Sequence, residues 1–206
     1  QAVSRQQTPG RSDVTSVIVT SYDETPRLEN SSIIHLAEVS DSRAANQLGK
    51  QYVEDVKRQT SVLLAKNFNR FIYVSSGTVY SKGKLPPRIP TSDTSSDSIY
   101  TDAKLAAEEL VREAGGVVVR LSNIYGPPAK QGTVIADILA QIPGEGPMKI
   151  RDVTPARDYL WVGDAATGLA DIALSEAVGV FNLGTGIETT AGSLAKIALA
   201  VAKESN

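Results

Sequence analysis

Residues 96–122, "SDSIYTDAKLAAEELVREAGGVVVRLS", place an amphipathic helix directly before an apolar strand. Apolar residues in the first part recur at helical spacing (i, i+3, i+4, i+7), which predicts a helix over about 98–114 with one buried stripe. That stripe comprises Ala103, Ala106, Ala107, Leu110, Val111 and Ala114. Gly115 and Gly116 follow it, as expected just past the C-terminus of a helix.

Similar apolar runs occur elsewhere in the chain. They are "SVIVTS" (16–21), "SIIHLA" (32–37), "RFIYVSS" (70–76) and "GVVVRLS" (116–122). Nearly continuous apolar runs are typical of strands covered on both faces, as in a parallel sheet. Helical segments around 43–66 and 98–114 lie between them. This alternation predicts an α/β fold with a doubly wound parallel sheet.

The pattern changes after "NIYGPP" (123–128). A helical "VIADILAQI", a short strand near Met148–Ile150, a helical "VGDAATGLADIALSEA" and finally "GVFNLGTG" follow in turn. We therefore expect two domains: residues 1–126, which carry the sheet, and residues 127–206, a smaller lobe that returns to it. Gly184 and Gly186 are expected to form a tight turn after a strand.

The composition excludes several kinds of function. Among 206 residues there is no cysteine and one histidine, which rules out a thiolate metal site and disfavours a Ser-His-Asp triad. The net charge is −2 and the basic residues are scattered, so no nucleic-acid or membrane partner is expected. No membrane-spanning run or signal-peptide pattern is present in this sequence. We expect a cytoplasmic, metal-independent protein.

Tyr100 and Lys104 are the first candidates for chemistry. They lie four residues apart, so their side chains share one face of the predicted helix. A lysine ammonium beside a phenol favours the phenolate, and such a tyrosine can exchange protons near neutral pH. The alternative is an aromatic–cation pair on the surface without a catalytic role.

A serine pair ends the strand that precedes this helix. Open α/β sheets bind ligands at the carboxyl ends of their strands, and Ser75–Ser76 ends the run 70–76. We therefore expect Ser76, Tyr100 and Lys104 to converge at one strand end, an arrangement that suits hydride transfer at an alcohol carbon. The alternative for the serines is a turn cap. His35 is interpreted as a core residue.

Several motifs, in order, resemble one family. They are "IIHLAE", "YVSSGTVY", "YTDAK", "RLSNIYGPP", "ARDYLWVGDAA" and "FNLGTG". With them the chain resembles an extended short-chain dehydrogenase/reductase of the NAD-dependent sugar epimerase/dehydratase group. The resemblance implies a Rossmann-like dinucleotide-binding domain over 1–126, a substrate-binding lobe over 127–206, and NAD or NADP as cofactor.

The resemblance also implies roles for single residues. Tyr100 is the acid/base, Lys104 its partner, which also binds the nicotinamide ribose, and Ser76 the catalytic hydroxyl. Thr78, Asn123 and Arg157 are expected to contact a nucleotide-sugar substrate, together with Ser76. The cofactor-binding set comprises Leu36, Ala37, Glu38, Ser75, Tyr100, Lys104 and Arg5. Arg157 next to Asp158 could instead form a solvated ion pair of little consequence.

Departures from the family pattern concern the cofactor. The glycine-rich turn, GxxGxxG, that brings the backbone close to a pyrophosphate is not in this sequence. "QAVSRQ" resembles the end of the second strand, where Ser4 and Arg5 favour NADP because arginine accepts a 2′-phosphate. The missing first strand would lie centrally in the sheet. We therefore expect the gene product to continue before Gln1 and after Asn206, and these residues alone to be poorly soluble.

Two functional classes stay open. The first is an NAD(P)-dependent epimerase or ketoreductase of a nucleotide-sugar; the second is a non-catalytic dinucleotide sensor or scaffold of the same fold. Gly77 and Thr78 occupy the positions of the Asp-Glu pair of 4,6-dehydratases, so dehydratase activity is not expected. Family members commonly pair through the helices at 43–66 and 98–114, which predicts a homodimer.

Overall fold

The structure is a computed structural model that describes residues 2–4, 16–18, 21–26, 30–66, 68–82, 87–129, 131–142, 144 and 146–204. In these ranges the strands are β1 (Ala2–Ser4), β2 (Ser16–Ile18), β3 (Ser32–His35), β4 (Arg70–Ser76), β5 (Val117–Leu121), β6 (Asn123–Tyr125), β7 (Ala156–Trp161), β8 (Gly179–Leu183) and β9 (Glu188–Thr190). The helices are α1 (Ser42–Leu48), α2 (Lys50–Leu64), α3 (Ile99–Glu113), α4 (Val134–Leu139), α5 (Val162–Leu174) and α6 (Ala191–Glu204).

A four-stranded sheet in the order β3-β4-β5-β8 carries the first part of the fold. Strands β3 and β4 pair in parallel, with Ser32 opposite Arg70 and His35 opposite Tyr73. The apolar residues of β4 and the three valines of β5 are buried, which explains the nearly continuous hydrophobic pattern of both strands. Strands β1 and β2 form a separate parallel pair. The predicted α/β class with a parallel sheet is confirmed.

Helix α3 follows the prediction closely in its bounds but differs in its buried face. Ser98 caps its N-terminus in a reciprocal pair with Thr101, and Gly115 after its C-terminus has φ +74°. Within the predicted stripe Ala103, Ala107 and Val111 are buried, whereas Ala114 is exposed. The rest of the buried face is polar, comprising Tyr100, Thr101, Lys104 and Glu108. The buried face is therefore rotated relative to the predicted stripe, because these polar side chains have partners in the interior.

The predicted helix over 43–66 is interrupted. Gly49 separates α1 from α2 with φ +68° and ψ −163°, a conformation that is essentially restricted to glycine. Asp41 caps α1 by accepting from the backbone N–H groups of Arg43 and Ala44. Helix α2 packs against α3.

A second sheet, β6-β7-β9, lies in the later part of the chain. Strands β6 and β7 are parallel, with Asn123 opposite Tyr159, and β9 is antiparallel to β7. These three strands and helix α6 were not predicted from the sequence. The predicted strand at Met148–Ile150 is wrong, because these residues have no strand pairing. Gly186 has φ +75° after β8 and Gly184, consistent with the predicted turn.

The chain folds as two compact units. The first contains residues 1–120 and 171–181, and the second contains 121–170 and 182–206. The segment 171–181 thus belongs to the first unit. The predicted division into domains 1–126 and 127–206 stays a prediction. None of the helices in the described ranges has both the length and the apolar character that a membrane span requires.

Candidate active site

Ser76 lies at the carboxyl end of β4, as predicted. It caps a short 3₁₀ turn, Gly77–Val79: its Oγ accepts from the backbone N–H of Thr78 at 3.3 Å and from the Thr78 hydroxyl at 3.0 Å. Ser76 is half-buried and Thr78 is exposed. The cap role and a substrate role are compatible, because the hydroxyl of a serine both donates and accepts.

Tyr100 lies in the first turn of α3 and is buried. Its backbone N–H donates to the side-chain oxygen of Asn46 on α1 at 3.1 Å. This contact uses a donor that the helix itself leaves unpaired at its N-terminus. Helix α1 therefore fixes the position of the tyrosine.

The ammonium of Lys104 points inward to the sheet. Its Nζ donates to the backbone carbonyl of Val74 at 3.0 Å and lies 2.7 Å from Oε2 of Glu38. It also lies 5.9 Å from the centroid of the Tyr100 ring and 5.0 Å from that of Tyr73. The predicted pair is therefore anchored to the backbone of β4, two residues before Ser76.

Glu38 is the centre of a buried polar cluster beneath this pair. Its Oε2 also accepts from the Tyr73 hydroxyl at 3.0 Å, and Nε2 of His35 lies 3.8 Å from Oε1. Burial, followed by the charge of Glu38, raises the pKa of Tyr73 well above 10. Burial also lowers the pKa of His35 below 6.5, against the opposing effect of Glu38. His35 packs edge-on against Tyr22, in line with its interpretation as a core residue.

A second buried network holds the end of β4. Ser75 Oγ donates to Oε1 of Glu108 at 2.5 Å, and Nη2 of Arg120 lies 2.6 Å from Oε2 of Glu108. Arg120 also donates to the Pro90 carbonyl at 3.1 Å and lies over the Tyr80 ring. Ser75, a predicted cofactor residue, is thus buried, and its hydroxyl is hydrogen-bonded within the protein.

Asn123 and Arg157 lie on neighbouring strands of the second unit. Asn123 Nδ2 donates to the Asp158 carbonyl at 3.4 Å, and Arg157 Nη1 donates to the Ala156 carbonyl at 2.7 Å. Both residues are exposed. The Asp158 carboxylate accepts from the backbone N–H groups of Thr185 and Gly186, which ties it to the turn after β8.

The structure thus brings together Tyr100, Lys104 and the end of β4, with Glu38 beside them. The predicted cofactor residue Arg5 lies outside the described residues. The side-chain role of Glu38 and the roles of Asn46, Glu108 and Arg120 were not predicted from the sequence.

Comparison with a family model decides the class of the protein. The model of the NAD dependent epimerase/dehydratase family matches residues 6–184. The chain belongs to the NAD dependent epimerase/dehydratase family. The predicted resemblance is confirmed, and the family's dependence on NAD agrees with the predicted cofactor class.

A curated relative of this family member is UDP-glucuronic acid decarboxylase 1 of Arabidopsis thaliana. The two are 30% identical over 142 residues, which is 62% of this chain and 33% of that protein. The chain thus spans about a third of the length of this relative.

Two solved structures show the same fold. UDP-glucose 4-epimerase of Thermotoga maritima, solved with UDP-glucose, has a TM-score of 0.79 and 21% identity, over 99% of this chain and 74% of that one. UDP-glucuronic acid 4-epimerase of Bacillus cereus, solved with UDP-glucuronic acid and NAD, has a TM-score of 0.68 and 23% identity, over 82% of this chain and 59% of that one. The Rossmann-like fold is therefore confirmed.

The residues around Lys104 fit a bound nicotinamide dinucleotide. An ammonium carries three N–H donors, and in the described part of the chain Val74 O and Glu38 Oε2 lie within hydrogen-bond distance of Nζ. One donor is left for a ribose hydroxyl. Glu38 Oε1 is buried with no hydrogen-bond partner among the described residues, so an acceptor is available beside it.

Proposed function

We propose that the protein is an NAD(P)-dependent epimerase or ketoreductase of a nucleotide-activated sugar. The observation that carries this proposal is the position of Lys104, whose Nζ lies 5.9 Å from the Tyr100 ring centroid and 3.0 Å from Val74 O near the end of β4. A cation placed beside a buried phenol at a strand end suits proton exchange with a ligand there.

Each residue has a distinct task in this proposal. Tyr100 takes the proton of a sugar hydroxyl or returns it to a carbonyl oxygen. Ser76 donates a hydrogen bond to the same oxygen and orients it. Lys104 binds the nicotinamide ribose through its remaining N–H donor. The bound dinucleotide would supply the chemistry of hydride removal and return.

The proposed contacts with the substrate are made by residues of the second unit. Arg157 is exposed on β7, and its planar guanidinium suits two oxygens of a diphosphate. Asn123 on the neighbouring strand offers amide donors and acceptors to the nucleotide. Relatives that are named as UDP-sugar enzymes support a nucleotide-sugar as the substrate class.

The residues of the turn after Ser76 argue against one type of reaction, the 4,6-dehydration of a sugar. Gly77 and Thr78 stand where 4,6-dehydratases carry an Asp-Glu pair, and neither side chain can serve as a carboxylic acid or base. We therefore expect no formation of a 4-keto-6-deoxy sugar. The non-catalytic sensor is disfavoured because binding alone has no need of the buried Tyr100–Lys104 arrangement.

The test uses the full gene product with NAD⁺ or NADPH and a panel of UDP-sugars. The readouts are quenching or enhancement of NAD(P)H fluorescence and the products seen by NMR. We expect a changed sugar stereocentre or a reduced ketone, and loss of both activity and dinucleotide affinity in Lys104→Ala. Dinucleotide binding without turnover of any nucleotide-sugar would favour the sensor.

A further inference from the structure

The carboxylate of Asp158 on β7 holds the turn between β8 and β9. Its Oδ1 accepts from the backbone N–H of Thr185 at 3.0 Å and from the Thr185 hydroxyl at 2.8 Å, and its Oδ2 accepts from the backbone N–H of Gly186 at 2.8 Å. Gly184 leaves room for this carboxylate, because a Cβ at that position would lie 2.5 Å from Oδ2. One half-buried side chain therefore fixes the path of the backbone from β8 into β9.

The position of this turn determines which residues of β9 face β7, because β9 begins directly after it. The two strands are antiparallel, with Asp158 opposite Glu188 and Arg157 opposite Thr189. Side chains of directly opposite residues lie on the same face of a sheet, with their Cβ atoms about 4.5–5.5 Å apart. The side chain of Thr189 therefore lies beside that of Arg157.

Thr189 shares its face of the sheet with the residues proposed to bind the substrate. Arg157 and Asp158 are consecutive in β7, so their side chains point to opposite faces. Tyr159 lies two residues after Arg157 and therefore on the same face, and Asn123 on β6 is its partner in the parallel pair. Arg157 and Asn123 are the two proposed contacts of the nucleotide-sugar on this sheet. Thr189 thus adds a hydroxyl to the same face.

The side chains of Arg157 and Thr189 keep hydrogen-bond donors for a ligand. Arg157 Nη1 donates to the Ala156 carbonyl at 2.7 Å, and within the described ranges its guanidinium makes no other hydrogen bond or ion pair. The half-buried Thr189 hydroxyl makes no hydrogen bond to any residue that the structure describes. A guanidinium carries several N–H donors and a hydroxyl carries one. Together they present donors from two neighbouring strands to one anionic group.

We propose that Thr189 binds the diphosphate of the nucleotide-sugar together with Arg157, and that Asp158 is the positioning residue that holds Thr189 there. This inference rests on the proposed function, since that function assigns the diphosphate to Arg157. A diphosphate carries several charged oxygens, so one oxygen accepts from the guanidinium while another accepts from the hydroxyl. Hydrogen bonds to charged oxygens are the stronger ones, so the contribution of a single hydroxyl is measurable.

The direct test measures the affinity of the full gene product for UDP by isothermal titration calorimetry, in the presence of NAD⁺ and without turnover. Thr189→Val keeps the branched shape of the side chain but removes the hydroxyl, whereas Thr189→Ser keeps the hydroxyl. We expect Thr189→Val to weaken UDP binding by about tenfold or more, because the lost hydrogen bond is to a charged group. Thr189→Ser should retain most of the affinity. Equal affinities of Thr189→Val and the parent protein would overturn the proposal.

Two control variants separate binding from stability. Thr190→Val removes the hydroxyl of the next residue, which caps α6 by accepting from the backbone N–H of Ser193 at 3.1 Å. It should destabilise the protein but leave the affinity for UDP unchanged; a loss equal to that of Thr189→Val would overturn the proposal. Arg157→Ala should strongly weaken UDP binding. Binding that is lost in Arg157→Ala but kept in Thr189→Val would overturn this inference alone, whereas a parent protein without affinity for UDP would contradict the proposed function as well.

The positioning role of Asp158 is tested by combining variants. Asp158→Asn replaces one of the two acceptor oxygens by an NH₂ group, and Thr185→Val is a milder change that removes one donor to Asp158. Both should weaken UDP binding and leave the affinity for NAD⁺ unchanged, since the proposed NAD⁺ contacts lie in the first unit. The losses of Asp158→Asn and Thr189→Val should add up to less than their sum in the double variant, because both remove the same contact. Fully additive losses, or an equal loss of NAD⁺ affinity, would show that Asp158 does not act through Thr189.

Discussion

Ser75 Oγ donates a 2.5 Å hydrogen bond to Oε1 of Glu108, and this contact joins the end of β4 to the middle of α3. Strand β4 carries Ser76 and helix α3 carries Tyr100, so the two proposed catalytic hydroxyls are held on elements that share one buried carboxylate. Arg120 on β5 adds the third element through its ion pair with Glu108. The site therefore depends on this network for its geometry.

Loss of Glu108 should strongly destabilise the protein. The side chains of Arg120 and Glu108 are 5% and 2% exposed, and breaking a buried pair by removing one partner typically costs about 3–5 kcal/mol. We expect Glu108→Ala to lower the free energy of unfolding, measured with urea, by about that amount. The matched control is Glu108→Leu with Arg120→Met, which removes both charges and should cost much less. A single variant as stable as the parent protein would contradict the assigned network.

His35 should make stability depend on pH. Burial lowers its pKa in the folded state, so below about pH 6.5 the unfolded chain binds a proton that the native state does not. Its contribution is fully present above that pH and is lost as the pH falls. We expect the free energy of unfolding to decrease from about pH 7.5 to about pH 5.5, with a smaller decrease in His35→Phe. Equal slopes for the two proteins would show that His35 is not buried in its neutral form.

Gly49 should resist substitution because of its backbone alone. An added Cβ would meet no atom within 4 Å, but φ is +68° and ψ is −163°. Gly49→Ala should therefore destabilise the protein by about 1–3 kcal/mol, measured by chemical unfolding. Lys50→Ala, at the exposed next position, is the control and should change stability by less than about 0.5 kcal/mol. Equal effects at both positions would mean that the break between α1 and α2 is not enforced by glycine.

The predicted homodimer can be tested through α2. Light scattering of the full gene product at micromolar concentration should give twice the mass of one chain. Arg58 is exposed on α2, so Arg58→Glu should weaken the association if the contact uses this helix. Lys203→Glu, on the exposed side of α6, is the matched control. A monomer at all concentrations would contradict the prediction.

Part of the fold and of the site could be read from the sequence. The apolar runs predicted β4 and β5 well because both strands are buried, and the spacing of Tyr100 and Lys104 predicted that they share a helix face. The β6-β7-β9 sheet was missed, since its strands are short or mostly exposed and lack a continuous apolar run. Glu38 and Glu108 were missed as buried residues because a carboxylate is buried only when a distant partner meets it. No local pattern shows such a partner.

Tyr100 is proposed to exchange the proton of the substrate, and its hydroxyl can be removed by a single substitution. Tyr100→Phe keeps the ring and its packing but removes the hydroxyl, so kcat should fall by roughly 10²–10⁴-fold while KM changes little. The assay is steady-state turnover of the nucleotide-sugar by the full gene product at the pH of maximal activity. We expect that loss; a Tyr100→Phe variant with the kcat of the parent protein would show that Tyr100 does not exchange the proton.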